Sequence, residues 1–246
     1  MMARDDNGRS GPSARIRGAD ESERVVDFGV LRRRHFEESV PWRRFRSHKG
    51  QKHLSGSYWS ATTGDFVVYE SRLELARLLL ADFDPTVVMI YAQPCLVEAP
   101  VEGRVRRHVP DFLLVSRDGG VEVVNVKPAG RLEDPKVARA LAWPGELVRS
   151  HGWRYEVWSG TDPVVMANVR FLAAYRRPWV VDQELVARAW EAVHDREELS
   201  VTEHRLASTA AVEQVRPALL SLLWSGRLFT DLSQPLSGAS MLRRVA

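Results

Sequence analysis

Apolar positions along this chain follow two rhythms, and residues that favour turns separate them. Between 70 and 83 they recur every three or four residues, at Leu73, Ala76, Leu80 and Ala81, with Leu78 and Leu79 widening the stripe. That spacing predicts an amphipathic helix, ended by Asp84-Pro85. From 87 to 126 the rhythm shortens. Segments 87–91, 112–115 and 121–126 are runs of β-branched and apolar residues, with Asp118-Gly119-Gly120 as a turn between the last two. Upstream, 58–60 and 66–69 flank Gly64-Asp65 and predict a hairpin. Downstream, 136–150 predicts a helix that Pro144 should interrupt or kink, 155–158 a strand and 168–175 a short helix. This order predicts an α/β fold with a mixed central sheet.

The two ends depart from that pattern. Residues 1 to about 25 are mostly Gly, Ser, Arg, Asp and Glu, so a disordered arm is expected. After Arg176-Arg177-Pro178 the helical rhythm returns at 183–194, 201–207 and 211–224, followed by a strand-like 227–232. Three short helices and a β element suggest a winged helix-turn-helix with the third helix in the reading position. The expected divisions are therefore an arm (1–25), an α/β domain with a basic region near its start (26–178) and a winged-helix-like domain that binds DNA or a partner (179–246).

Composition narrows the function classes. The 246 residues contain one cysteine, Cys95, which excludes an internal disulfide and a cysteine-rich zinc site and reads as a buried small hydrophobe. No apolar run reaches the roughly 18–20 residues that span a bilayer, and the charged start does not resemble a secretory signal. A cytoplasmic, nucleoid-associated protein is expected. Net charge is +3 and the isoelectric point about 9.2. The placement of the charge matters more than its sum. Arg43, Arg44, Arg46, His48, Lys49, Lys52 and His53 crowd one stretch, interleaved with Trp42 and Phe45. Such a run suits a phosphate backbone and exposed bases. Arg106, between Arg104 and Arg107, is a further candidate DNA contact.

The candidate chemistry lies at Pro110-Asp111 and Asn125-Val126-Lys127. Strand alternation turns Asn125 and Lys127 to one face and Val124 and Val126 to the other. A tight hairpin would bring Asp111 beside them. A carboxylate, an amide oxygen and an ammonium then share one sheet edge, which is what metal-assisted phosphodiester hydrolysis uses. Mg²⁺ is the expected ion, with Mn²⁺ as a substitute. A second acid is needed, and Glu74 on the first helix is the first choice, Glu70 the second. Glu122 lies on the opposite face from Lys127. His108 reads as a surface histidine on an extended segment, and Trp143, Trp153 and Trp158 as packing residues.

Together these marks resemble the TnsA-like endonuclease subunit of heteromeric transposases, in the PD-(D/E)xK nuclease superfamily. The resemblance rests on Tyr69-Glu70-Ser71-Arg72-Leu73-Glu74, Phe83-Asp84-Pro85, Gln93-Pro94, Pro110-Asp111-Phe112-Leu113, Val126-Lys127-Pro128, Arg131-Leu132 and 134–136, and runs from about 47 to 158. It implies a restriction-endonuclease-like fold, with Glu74 as an active-site acid, Asp111 as a metal ligand and Lys127 as the active-site lysine. It also implies double-stranded DNA at transposon ends as substrate, a DDE transposase that cuts the other strand, and a regulatory ATPase. One position departs: the family carries Glu or Gln two residues before the lysine, and Asn125 is one methylene shorter. A non-catalytic DNA-binding or assembly subunit, and a restriction or repair nuclease on the same fold, are the competing readings.

Overall fold

In the computed structural model, which describes residues 11–43, 55–208 and 212–245, strands begin earlier than the polar N-terminus suggests. Strand β1 is Ser13–Gly18 and β2 is Glu23–Asp27. The disordered arm is therefore corrected over these residues. Ala14 and Ile16 alternate with polar neighbours and have no exposed surface, a period-two pattern that average composition conceals. A short β3, Ser39–Val40, follows. Gly64, at a φ of 68°, turns the hairpin between β4, Gly56–Ser60, and β5, Asp65–Tyr69.

Helix α1, Arg72–Phe83, opens the next stretch. It is followed by β6, Val87–Ala92, β7, Leu96–Val101, β8, Arg104–His108, β9, Phe112–Ser116, and β10, Val121–Val126. Helix α2, Ala129–Leu132, precedes α3, Pro135–Ser150. The Asp134 carboxylate caps α3 through the Lys136 N–H, and Pro135 sits in its first turn, where no N–H is needed. Pro144 does not end α3; it is buried within a continuous helix. Strand β11 is Arg154–Trp158 and α4 is Pro163–Leu172, earlier than the expected 168–175. The tail holds α5, Gln183–Ala192, β12, Glu197–Glu198, α6, Leu199–Ala207, α7, Val212–Trp224, β13, Leu228–Phe229, and β14, Met241–Arg244.

The chain separates into two compact units, one from the described residues up to 58, 66–74 and 88–159, the other from 59–65, 75–87 and the described residues from 160 onward. In the first unit, one antiparallel sheet runs β2-β1-β7-β8, with β3 also on β1. A second runs β11-β10-β9-β6, with β10 parallel to β11 and antiparallel to β9. The mixed character expected from the sequence resides in this second sheet.

The two sheets share one apolar core. Ala14, Ile16 and Val97 of the first, with Cys95 just before β7, pack with Leu113, Val115, Val121 and Val123 of the second and with Val148 of α3. On β10, Val121, Val123 and Asn125 occupy one face, with Lys127 next in the same alternation. This column passes from core hydrophobes to a buried amide to a half-exposed ammonium. The chemistry begins where the core ends.

The second unit is organised around α7, whose Val215, Ala218, Leu219, Leu220, Leu222, Leu223 and Trp224 are buried. Helices α4, α5 and α6 all pack against it. The Val169 and Leu172 stripe of α4 is buried in this unit, which moves the expected boundary from 178 to 160. The tail strands pair in the order β12-β14-β13. Asn168 fastens the 232–236 segment, its Nδ2 donating to the Leu232 and Gln234 carbonyls and its Oδ1 accepting the Leu236 N–H. Among the described residues, no helix is long and apolar enough to cross a membrane.

Candidate active site

Asp111 is placed by backbone before side chain. Its N–H donates to the Val124 carbonyl (3.1 Å) and its carbonyl accepts from the Gln93 N–H (2.9 Å), so it is fixed between β10 and the end of β6. Its Oδ2 accepts the Val126 N–H at 2.6 Å and lies 3.7 Å from Lys127 Nζ. Lys127 Nζ also donates to the Val126 carbonyl at 3.0 Å. The expected juxtaposition of Asp111 and Lys127 is thus present. Burial raises the Asp111 pKa, opposed by the Lys127 charge, the Val126 N–H and the Arg43 charge.

Glu74 stands at the start of α1 and folds back on its own helix end. Its Oε2 accepts the Glu70 N–H (2.7 Å) and its Oε1 the Ser71 hydroxyl (3.0 Å), while Ser71 Oγ accepts the Glu74 N–H. This is a reciprocal cap. Burial raises the Glu74 pKa, and the Asp111 and Glu70 charges add to the rise. Glu70 pairs with Arg43 (Nη1 to Oε2, 2.6 Å). Arg43 is anchored in turn by Gln93, whose Oε1 accepts its N–H and whose carbonyl accepts the Trp42 N–H. Gln93 is buried at a φ of 47°, in the left-handed region that non-glycine residues adopt at a cost. This strained residue couples the Arg43 segment to Asp111. In the sequence its one mark is the Gln93-Pro94 dipeptide.

Asn125 has no exposed surface, and its Oδ1 lies 2.6 Å from His108 Nε2. An amide oxygen can only accept, so the imidazole N–H donates. Asn125 Nδ2 is buried with no partner at hydrogen-bonding distance; the Tyr155 hydroxyl, which donates to the Leu141 carbonyl at 3.0 Å, lies near it. His108 is not the surface residue expected. Its ring packs edge-on against Trp143, and burial, with the Lys127 and Arg43 charges, holds its pKa down at about 4. The available signal was register. His108 pairs with Val97, a core position, so it faces inward.

Glu74, Glu70, Arg43, His108, Asp111, Asn125 and Lys127 all lie in the first unit. Arg106 is exposed on β8 and pairs with Glu102 at 3.4 Å. Arg44, Arg46, Lys49 and Lys52 lie outside the described residues.

Residues 84–160 match the family model of the TnsA-like endonuclease N-terminal domain. Over this segment the chain is similar to a TnsA-like nuclease. The match covers Asp111, Asn125 and Lys127 and begins after Glu74. No curated protein matches the chain.

The oxygen donors near Asp111 can be compared with the needs of a hard divalent cation. Among the described residues no cluster of three or more His, Cys, Asp and Glu side chains forms a cage. Two neighbouring acids, each with a raised pKa, leave negative charge that a cation would offset. One or two carboxylates with retained waters is how Mg²⁺ is usually held. Asp111 and Glu74 fit that role. Asn125, expected as a third ligand, has its oxygen committed to His108.

Proposed function

We propose that this protein is the metal-dependent DNA endonuclease subunit of a heteromeric transposase, cutting one strand at each transposon end beside a DDE transposase, with a regulatory ATPase joining them. The observation that carries the reading is the buried Asp111 carboxylate bridged by the Val126 N–H and the Lys127 ammonium, inside a TnsA-like domain. Asp111 and Glu74 would hold Mg²⁺, or Mn²⁺ in its place, which supplies polarisation of the phosphoryl oxygen and a more acidic bound water. Lys127 orients the attacking water and offsets charge that develops on the phosphate. Arg43, tethered by Gln93 and paired with Glu70, would serve as a phosphate contact beside these groups. The tail is proposed as winged-helix-like from its α5-β12-α6-α7-β13-β14 order. Its α7 is unsuited to reading a groove, since among its described side chains Glu213, Gln214 and Arg216 are the exposed ones and Arg216 is paired with Glu203.

The test is a nicking assay on transposon-end DNA with the transposase partner and Mg²⁺ or Mn²⁺. Wild type is expected to nick the ends and Asp111→Ala to leave them intact; equal nicking by the two would end the enzyme reading. A second reading, a nuclease fold that binds DNA without cutting, is favoured by Asn125, whose neutral and committed side chain stands where the family carries Glu or Gln. Retained DNA binding with no cleavage by wild type would select it.

A further inference from the structure

We propose that His108 is a positioning residue: its imidazole holds the Asn125 amide, and the pair sets the spacing of Asp111 and Lys127. The inference rests on the nuclease reading of the site.

Three observations carry it. First, the bond joins the two sheets, since His108 ends β8 in one and Asn125 lies near the end of β10 in the other. Both side chains face the space that the apolar core fills further along, as the pairing of His108 with Val97 and the shared face of Val123 and Asn125 require. Second, each partner is a short step from a reacting group. Val109-Pro110 alone separates His108 from Asp111, and Val126 alone separates Asn125 from Lys127. The Val126 N–H to Asp111 bond is a second tie one residue along. The two ties clamp the Pro110-Asp111 turn onto the end of β10. Third, the His108 bond is the hydrogen bond of the Asn125 side chain, whose Nδ2 is left unpaired. A buried side-chain amide held through its oxygen alone is uncommon in folded proteins. Trp143, edge-on to the imidazole, fixes the ring orientation. Asn125 therefore serves the site through His108 and does not give its oxygen to the metal.

The test is calorimetric titration of the full chain with Mn²⁺ in the absence of DNA, with thermal melts of each metal-free variant alongside. His108→Phe keeps the ring against Trp143 and removes the donor. His108→Gln keeps a neutral donor. The expected result is Mn²⁺ binding weakened about tenfold or more by His108→Phe, the usual cost of losing a group that orients a metal site. His108→Gln should stay within about threefold of wild type by the same reasoning, and the double variant His108→Phe/Asn125→Ala should bind no more weakly than His108→Phe. Binding by His108→Phe as tight as wild type or tighter would overturn the proposal, because releasing the amide would then have freed a direct ligand. So would His108→Gln binding as weakly as His108→Phe. If His108→Phe does not fold, Asn125→Ala decides: about tenfold weakening beside a near-normal His108→Gln supports the brace, and unchanged binding overturns it. Asp111→Ala separates the two levels. Wild-type Mn²⁺ affinity in that variant removes the nuclease reading itself, whereas its loss beside an unaffected His108→Phe removes only the role of His108.

Discussion

Two buried asparagines, one in each unit, meet opposite fates. Asn168 makes three hydrogen bonds, two from its Nδ2 and one to its Oδ1, all to the backbone of the 232–236 segment. Asn125 makes one, and its Nδ2 is left without a partner. The surroundings differ in the same sense. Around Asn168 the unit is built on α7 leucines, and Thr202 and Arg205 both serve Glu197. Around Asn125 stand two acids with raised pKa and a histidine with a lowered one. A buried amide used for structure is satisfied in full. The buried amide beside the titrating groups is satisfied only in part.

The contrast can be broken by substitution. The largest effect is expected on the reactive side: Asp111→Asn should cut the nicking rate at least about a hundredfold, the scale of losing a group that acts on transition-state charge. A loss below tenfold in the gel assay with partner and Mg²⁺ would place the chemistry elsewhere. On the structural side, Asn168→Ala removes the partner of the Leu232 and Gln234 carbonyls and of the Leu236 N–H. It should cost about 3 kcal/mol in urea unfolding, with Mn²⁺ affinity unchanged. Asn125→Ala should cost about 1 kcal/mol, since one bond is lost and one unpaired donor removed. If the two alanine variants proved equally destabilised, the comparison would fail.

The smaller effects are electrostatic. His108 is held at about 4 in the folded chain against an ordinary 6.5, so the unfolded chain binds more protons in that window. Stability contributed by the neutral ring is full above pH 6.5 and is lost as pH falls towards 4, by up to about 1.4 kcal/mol per unit. His108→Gln should lack this component, visible as a shallower fall in melting temperature between pH 6.5 and 4 without metal. Asp111 has the opposite sign. Its folded pKa is raised, so its ionised form is disfavoured at neutral pH. Asp111→Asn, while inactive, should therefore melt slightly above wild type at pH 7, and a lower melting temperature would contradict the burial argument.

The site residues were legible to different depths. Asp111, Lys127 and Glu74 stood out because a hairpin and a helix start are local signals, and alternation alone places the lysine. Gln93 and His108 were hidden for a physical reason. Gln93 acts through distant backbone partners, and His108 through the sheet that holds Ser13–Gly18, a strand in a polar stretch with only Ala14 and Ile16 to betray it. With that sheet unseen, His108 had nothing to face. The tail followed the same rule. Its three helices repeat apolar residues at helical spacing and were visible, whereas the two-residue strands Glu197–Glu198 and Leu228–Phe229 exist only through pairing with Met241–Arg244. Long-range pairing leaves little trace in a short window of sequence.

The burial of α7 has a consequence for anyone who would retarget this protein. A library randomised along 212–224, where a reading helix would be diversified, would meet Leu219, Leu220, Leu222 and Leu223 packed on several sides. Survivors of such a screen would be chosen for whether they fold and would carry no information about DNA sequence preference.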